Sequence, residues 1–244
     1  MTTPSSNQRR FSLKNFDGAI IDLDGTLVDT LGDFEVAINM MLDDLGLSGK
    51  PQLARHEVER MVGKGSEHLV NAALNHCSPG SQQSTRCAPA TDVRHPLFVQ
   101  ALDVYHHHYQ AINGLHAAVY PGVIQGLASF QKAGLRMACV TNKPLAFAQA
   151  LIRLKRLDPY FACVFGGDSF ERKKPDPLPL IKACEALGVS TARTIMLGDS
   201  INDAQAGRAA GCAVVLVTYG YHHDHPMDSL GADLCVDSFT DIQG

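Results

Sequence analysis

Ala19-Ile20-Ile21-Asp22-Leu23-Asp24-Gly25-Thr26-Leu27-Val28-Asp29 is the stretch that decides how this chain is read. Ala19 to Leu23 is a short apolar run carrying one aspartate, and Asp24-Gly25-Thr26 ends it. A run of this kind, bounded by a turn signal, predicts a buried strand that leaves into a loop. Two carboxylates two residues apart at a strand's end project toward the same side. Gly25 lets the chain turn there without a Cβ clash. Taken alone, the stretch also reads as a loop with capping aspartates.

Similar runs come much later, at Arg136–Val140, 194–197, Ala213–Val217 and Leu234–Val236, with Cys163–Phe165 as a shorter candidate. Between them lie helical patterns at 144–156, 177–187 and 204–210. Alternating strand and helix predicts an α/β fold with a mostly parallel sheet and helices on both faces. The region from 31 to 117 differs, with no strand pattern. Phe34, Ile38, Met41, Leu42 and Leu45 follow helical spacing. Val58, Met61 and Val62, then Leu69, Val70 and Leu74, predict two more helices, and Val99, Leu102, Tyr105 and Tyr109 a fourth. The expected organisation is a flexible tail at 1–14, an α/β core at 15–30 and 117–244, and a helical insert at 31–116. Within the insert, residues 78–96 hold three prolines and little periodicity, which predicts a surface loop.

Composition narrows the function. The 244 residues suffice for a hydrophobic core without metal or disulfide support. Lys plus Arg is 21 against 25 Asp plus Glu, so the net charge of −4 offers no basic field for nucleic acid. No apolar run is long enough for a membrane span. Arg9-Arg10-Phe11 faintly resembles a twin-arginine signal, but Asp17, Asp22 and Asp24 follow where an apolar region would be needed. The seven scattered cysteines then read as reduced thiols of a cytoplasmic protein.

Three further polar clusters end the later strands. They are Val140-Thr141-Asn142-Lys143-Pro144, Lys173-Lys174-Pro175-Asp176-Pro177 and Leu197-Gly198-Asp199-Ser200-Ile201-Asn202-Asp203. In an open α/β sheet, ligands gather beyond the carboxyl ends of the strands. With Asp22-Leu23-Asp24-Gly25-Thr26, these clusters resemble the four motifs of the haloacid dehalogenase-like hydrolases, specifically their phosphatases. The helical insert resembles that family's cap. Within the family the wording is similar to the phosphoglycolate phosphatases, through Val62-Gly63-Lys64-Gly65, Tyr120-Pro121-Gly122-Val123, Gly166-Gly167-Asp168 and Leu216-Val217-Thr218-Tyr219-Gly220-Tyr221.

The resemblance implies a Rossmann-like, mostly parallel core with an inserted all-helical cap domain. It implies Asp22 as nucleophile, forming an aspartyl-phosphate, and Asp24 as general acid and base. Thr141, the Asn142 backbone N–H and Lys174 are expected to bind the phosphoryl group, Lys174 being preferred to Lys173 because it directly precedes proline. Mg²⁺ is the implied cofactor, held by the Asp22 carboxylate, the Asp24 carbonyl and the Asp199 carboxylate, with Asp203 supporting from behind. The loop at Gly63-Lys64-Gly65 is expected to close over the substrate, Lys64 meeting its carboxylate and the glycines allowing close approach, or else to be a plain interhelical turn. The expected partner is a small phosphorylated metabolite, foremost 2-phosphoglycolate, with no nucleic acid or membrane; the sequence leaves the oligomeric state open.

Other signals have plainer readings. His106-His107-His108 point different ways on a helix and cannot share one ion. His222, His223 and His225 read as a solvated loop, and Asp29 and Thr30 as helix-capping residues. Asn202 either orients Asp199 or caps the following helix. Cys77 borders the 78–96 loop and Cys87 lies within it; a disulfide between them would contradict the cytoplasmic reading. Competing functions are a phosphatase for nucleotides, sugar phosphates or pyrophosphate, a sugar-phosphate mutase, a receiver-like phospho-aspartate signalling protein and a non-catalytic binding protein. Asp24 argues against a dehalogenase.

Overall fold

The computed structural model describes residues 12–47, 52–77, 94–221 and 229–242. Most of the 1–14 tail, residues 78–93 with Cys87, and His222, His223 and His225 lie outside them. Two compact units divide the chain: one runs to Asp29 and resumes at Ala118, and the other is Thr30–Ala117.

The first unit begins with β1 (Gly18–Ile21), fully buried, and β2 (Val28–Asp29). The second unit holds α1 (Leu31–Asp44), α2 (Arg55–Glu59), α3 (Ser66–Cys77) and α4 (Phe98–Ile112), with no strand among its described residues. The chain then continues through β3 (Ala118–Val119), α5 (Val123–Lys132), β4 (Arg136–Val140), α6 (Leu145–Leu154) and β5 (Cys163–Phe165). It ends through α7 (Leu178–Leu187), β6 (Thr194–Gly198), α8 (Ile201–Ala210), β7 (Ala213–Val217) and β8 (Leu234–Val236).

Six strands form one parallel sheet in the order β5-β4-β1-β6-β7-β8. From β1 the chain builds outward through β4 and β5, then returns to build the other half from β6. Strand order therefore reverses beside β1, the place where open α/β sheets bind ligands. Ile20 lies level with Ala138 and Met196, and these residues share one buried face with Leu180, Ala183 and Leu187 of α7. Their neighbours Ala19, Ile21, Met137, Cys139, Ile195 and Leu197 alternate to the opposite face and are buried too. A sheet covered on both faces reads as continuous apolar runs, which is why its strands were visible in the sequence. The two-residue strands β2 and β3 pair antiparallel, Val28 with Val119 and Asp29 with Ala118, where the chain leaves and re-enters this unit.

In the helical unit, α1 packs on α4 through stacked Phe34 and Tyr109, with ring centroids 5.6 Å apart. Buried Asp33 accepts from the backbone N–H groups of Gly114 (2.6 Å) and His116 (2.7 Å), so the start and end of the insert are tied together. Two expectations need correction. In α4, Tyr105 and Tyr109 are buried as expected, but Phe98 and Ala101 complete the buried stripe in its first turn and Val99 is 69% exposed. The second helix stops at Glu59, so Met61 and Val62 are buried from the turn that follows it rather than from its face.

Candidate active site

The expected core residues converge at the carboxyl edge of β1, β4 and β6. The parallel ladder runs one bond past β1, with Asp22 N–H donating to Leu197 O at 2.9 Å. The chain then folds back tightly: Gly25 N–H donates to Val28 O at 2.9 Å, and Val28 N–H to Leu23 O at 3.0 Å. Gly25 takes φ +84°, and a Cβ there would overlap the Asp199 carboxylate. Only glycine combines that backbone angle with that approach.

Lys174 organises the centre. It is 3% exposed, and its ammonium lies 2.8 Å from Asp22 Oδ1 and 2.7 Å from Asp203 Oδ1. It also donates to Val140 O at 2.7 Å. The geometry toward Val140 and Asp203 is that of directed hydrogen bonds, whereas Asp22 Oδ1 is held mainly by charge. Burial works against the Lys174 charge, but Asp203 and Asp22 outweigh it and raise its pKa. Lys173 is only half-buried, and no bond of its side chain appears in this centre.

Asp199 receives the Thr26 hydroxyl on Oδ1 and the Tyr221 backbone N–H on Oδ2, each at 2.7 Å. Asp203 is fully buried, with Oδ1 on Lys174 and Oδ2 accepting from the Ser200 hydroxyl (2.6 Å) and N–H (3.0 Å). Ser200 and Asp203 thereby begin α8, so Asn202 is not its cap. Asp203 is thereby held between the Lys174 ammonium and Ser200.

Asp24 is held by a second lysine. Lys143 donates to its Oδ1 at 2.8 Å, and the Thr141 hydroxyl reaches its Oδ2 at 3.4 Å. Asn142 uses its side-chain amide to hold Lys174 O at 2.9 Å. Gly63 and Lys64 are exposed in the helical unit, where Gly63 and Gly65 take φ +92° and +90° between α2 and α3. Thr30 stands at the start of α1 without a side-chain capping bond, and Asp29 Oδ1 accepts the Tyr221 hydroxyl at 2.8 Å instead. The capping reading is thus corrected for the Thr30 side chain.

Three contributors had no assigned role in the sequence: Lys143, Thr26 and Tyr221. Each sits inside a quoted motif, but its partner is more than a hundred residues away in the chain.

Carboxylate oxygens of Asp22, Asp199 and Asp203 lie within 4.8 Å of one another. With Asp24 they set four carboxylates against two ammonium groups, Lys143 and Lys174. Burial, then the nearby Asp203 and Asp24 charges, push Asp22 up to about 7 despite Lys174. Burial with Asp203 and Asp22 also raises Asp199 well above the aspartate range, against the Thr26 and Tyr221 hydrogen bonds. Such a cluster is under-neutralised by two charges, and one hard divalent cation fits it in charge and donor type.

The family model for haloacid dehalogenase-like hydrolases matches residues 16–211. A phosphoglycolate phosphatase of Thiobacillus denitrificans is 38% identical over 91% of this chain and 92% of its own length. One of Cupriavidus necator is 42% identical over 90% and 88%. The crystal structure of a predicted phosphoglycolate phosphatase from Haemophilus somnus superposes with a TM-score of 0.83 at 30% identity, covering 93% of this chain and 96% of that one. The chain belongs to the haloacid dehalogenase-like hydrolase family, as a phosphoric monoester hydrolase.

Proposed function

We propose that the protein hydrolyses 2-phosphoglycolate to glycolate and phosphate through an aspartyl-phosphate on Asp22. The observation that carries this reading is the placement of Asp22: its carboxylate lies against the Lys174 ammonium, with Asp24 two residues on and Asp199 across from it. The relatives named phosphoglycolate phosphatase support the substrate.

An Asp22 oxygen attacks phosphorus in line as the bond to the leaving alkoxide breaks. Asp24 gives that alkoxide a proton. Asp24 then takes a proton from the water that attacks the acyl-phosphate, and the Asp22–phosphorus bond breaks to release phosphate. Lys174 keeps Asp22 oriented and offsets charge on the phosphoryl oxygens. The Thr141 hydroxyl, which reaches Asp24 only at 3.4 Å, and the Asn142 N–H are assigned to phosphoryl oxygens. The Asp22 and Asp199 carboxylates and the Asp24 carbonyl would hold Mg²⁺, which supplies Lewis-acid charge neutralisation when bound. Recognition of the substrate carboxylate is assigned to Lys64, with Gly63 allowing close backbone approach.

The test is phosphate release from a panel of 2-phosphoglycolate, sugar phosphates, nucleotides and pyrophosphate, with and without Mg²⁺. The expected result is a Mg²⁺-dependent kcat/KM highest for 2-phosphoglycolate and lost in Asp22→Asn. Preference for another member would replace the substrate and keep the chemistry. No turnover of any member would overturn the reading.

A further inference from the structure

The loop that follows β7 touches the site at a point the mechanism does not use. Tyr221 makes two bonds in opposite directions. Its backbone N–H donates to Asp199 Oδ2 at 2.7 Å, and its hydroxyl donates to Asp29 Oδ1 at 2.8 Å. Asp29 is the last residue of β2 and pairs with Ala118 of β3. Tyr219, two residues earlier, donates its hydroxyl to Thr26 O at 2.8 Å. Its ring lies 4.4 Å from that of Tyr120, whose N–H donates to Leu27 O at 3.1 Å. One short segment therefore joins the Asp199 carboxylate to both chain crossings between the two units' sequences.

There is no slack in this junction. A Cβ on Gly220 would overlap the Asp199 side chain and Gly25 O, and one on Gly25 would overlap Asp199 Oδ2. Tyr221 is 5% exposed, and its hydroxyl bond ends on the half-buried Asp29. Close-packed groups with satisfied bonds shift together rather than singly.

We propose that Tyr221 is a positioning residue that couples the Asp199 carboxylate to the β2–β3 strand pair. Its hydroxyl fixes the loop whose N–H aims Asp199, so losing the hydroxyl loosens a ligand of the cation. Coupling of this kind is reciprocal. Cation binding at Asp199 must then quiet the β2–β3 pair through the same bonds. The proposal rests on the reading of Asp199 as a Mg²⁺ ligand.

The test uses the full chain and Mg²⁺ alone, without substrate. Calorimetric titration gives the Mg²⁺ affinity, and amide hydrogen exchange follows residues 28–30 and 118–120 with and without Mg²⁺. In the native chain Mg²⁺ should slow exchange at both segments. Tyr221→Phe should weaken Mg²⁺ binding by about tenfold, as loss of a bond orienting a metal ligand does, and should abolish the added protection. Asp29→Ala should match it, while Asp29→Asn keeps an acceptor oxygen and should behave as native. Native Mg²⁺ affinity and protection in Tyr221→Phe would overturn the coupling and leave the metal reading standing. Absence of Mg²⁺ binding to the native chain would overturn both.

Discussion

The carboxyl edge of the sheet and the helical insert treat charge in opposite ways. At the sheet edge, Asp22, Asp199, Asp203, Lys143 and Lys174 are all buried, and the carboxylates and ammonium groups face one another. Among the described residues of the insert the buried charge is Asp33, which ties Gly114 and His116 together, while Lys64 is exposed between two glycines. Buried ionic groups are costly unless each has partners, and they hold fixed positions once they do. Under the proposed function, bond-breaking belongs to the first region, where preorganised charge is strongest, and Lys64 of the second is the candidate for choosing among substrates.

The sharpest way to break this division is to remove the nucleophile. Asp22→Asn preserves shape and should lower kcat by about 10⁴-fold or more, because groups that act as a unit fail together. A residual rate within tenfold of native would remove Asp22 from the chemistry. Lys174→Met comes next. It strips Asp22 and Asp203 of their shared cation and should cost about a thousandfold in kcat and about 3–5 kcal/mol of stability. Steady-state rates and denaturant melts separate the two losses. A variant that lost activity at native stability would show that the pair is not a structural element.

A gentler probe is pH. Between the usual aspartate pKa of 3.8 and about 7, native Asp22 holds a proton that the unfolded chain has released. The unfolded state binds fewer protons there, so stability falls as pH rises through that window. Asp199 is pushed in the same direction. In the presence of a chelator, Asp22→Asn should melt at the same temperature as native near pH 4 and several degrees higher by pH 7.5. Adding Mg²⁺ should close that gap by stabilising the native chain through binding. Parallel melting curves across this range would mean that the cluster carries no such strain.

The same contrast separates what was legible in the sequence from what was not. The main strands and the helices α7 and α8 were legible because a doubly covered sheet demands unbroken apolar runs, and Ile20, Met196 and Val215 supply them. The aspartates closing β1 and β6 were legible because polar groups at the end of such a run need a reason. The pair β2–β3 was not, since two residues carry no period and Val28 finds Val119 only in three dimensions. Lys143 and Tyr221 escaped for the same reason: nothing local in Asn142-Lys143-Pro144 or Gly220-Tyr221 announces Asp24 or Asp29. In the insert, a helical stripe fixes its phase only to within a residue, so Val99 was placed inward when Phe98 takes that position.

The smallest expected effect falls on the insert, where the proposed substrate contact is tested. Lys64 is exposed and belongs to no core, so Lys64→Ala should leave melting temperature unchanged. If its ammonium meets the substrate carboxylate, kcat/KM for 2-phosphoglycolate should fall by about tenfold, the worth of one charge-assisted hydrogen bond of about 1.5 kcal/mol. For a phosphomonoester without a carboxylate the same variant should lose little, so the ratio of the two specificity constants is the quantity to measure. An equal loss on both substrates would assign Lys64 to the phosphoryl group and erase the division between the regions. No loss on either would move carboxylate recognition to another residue.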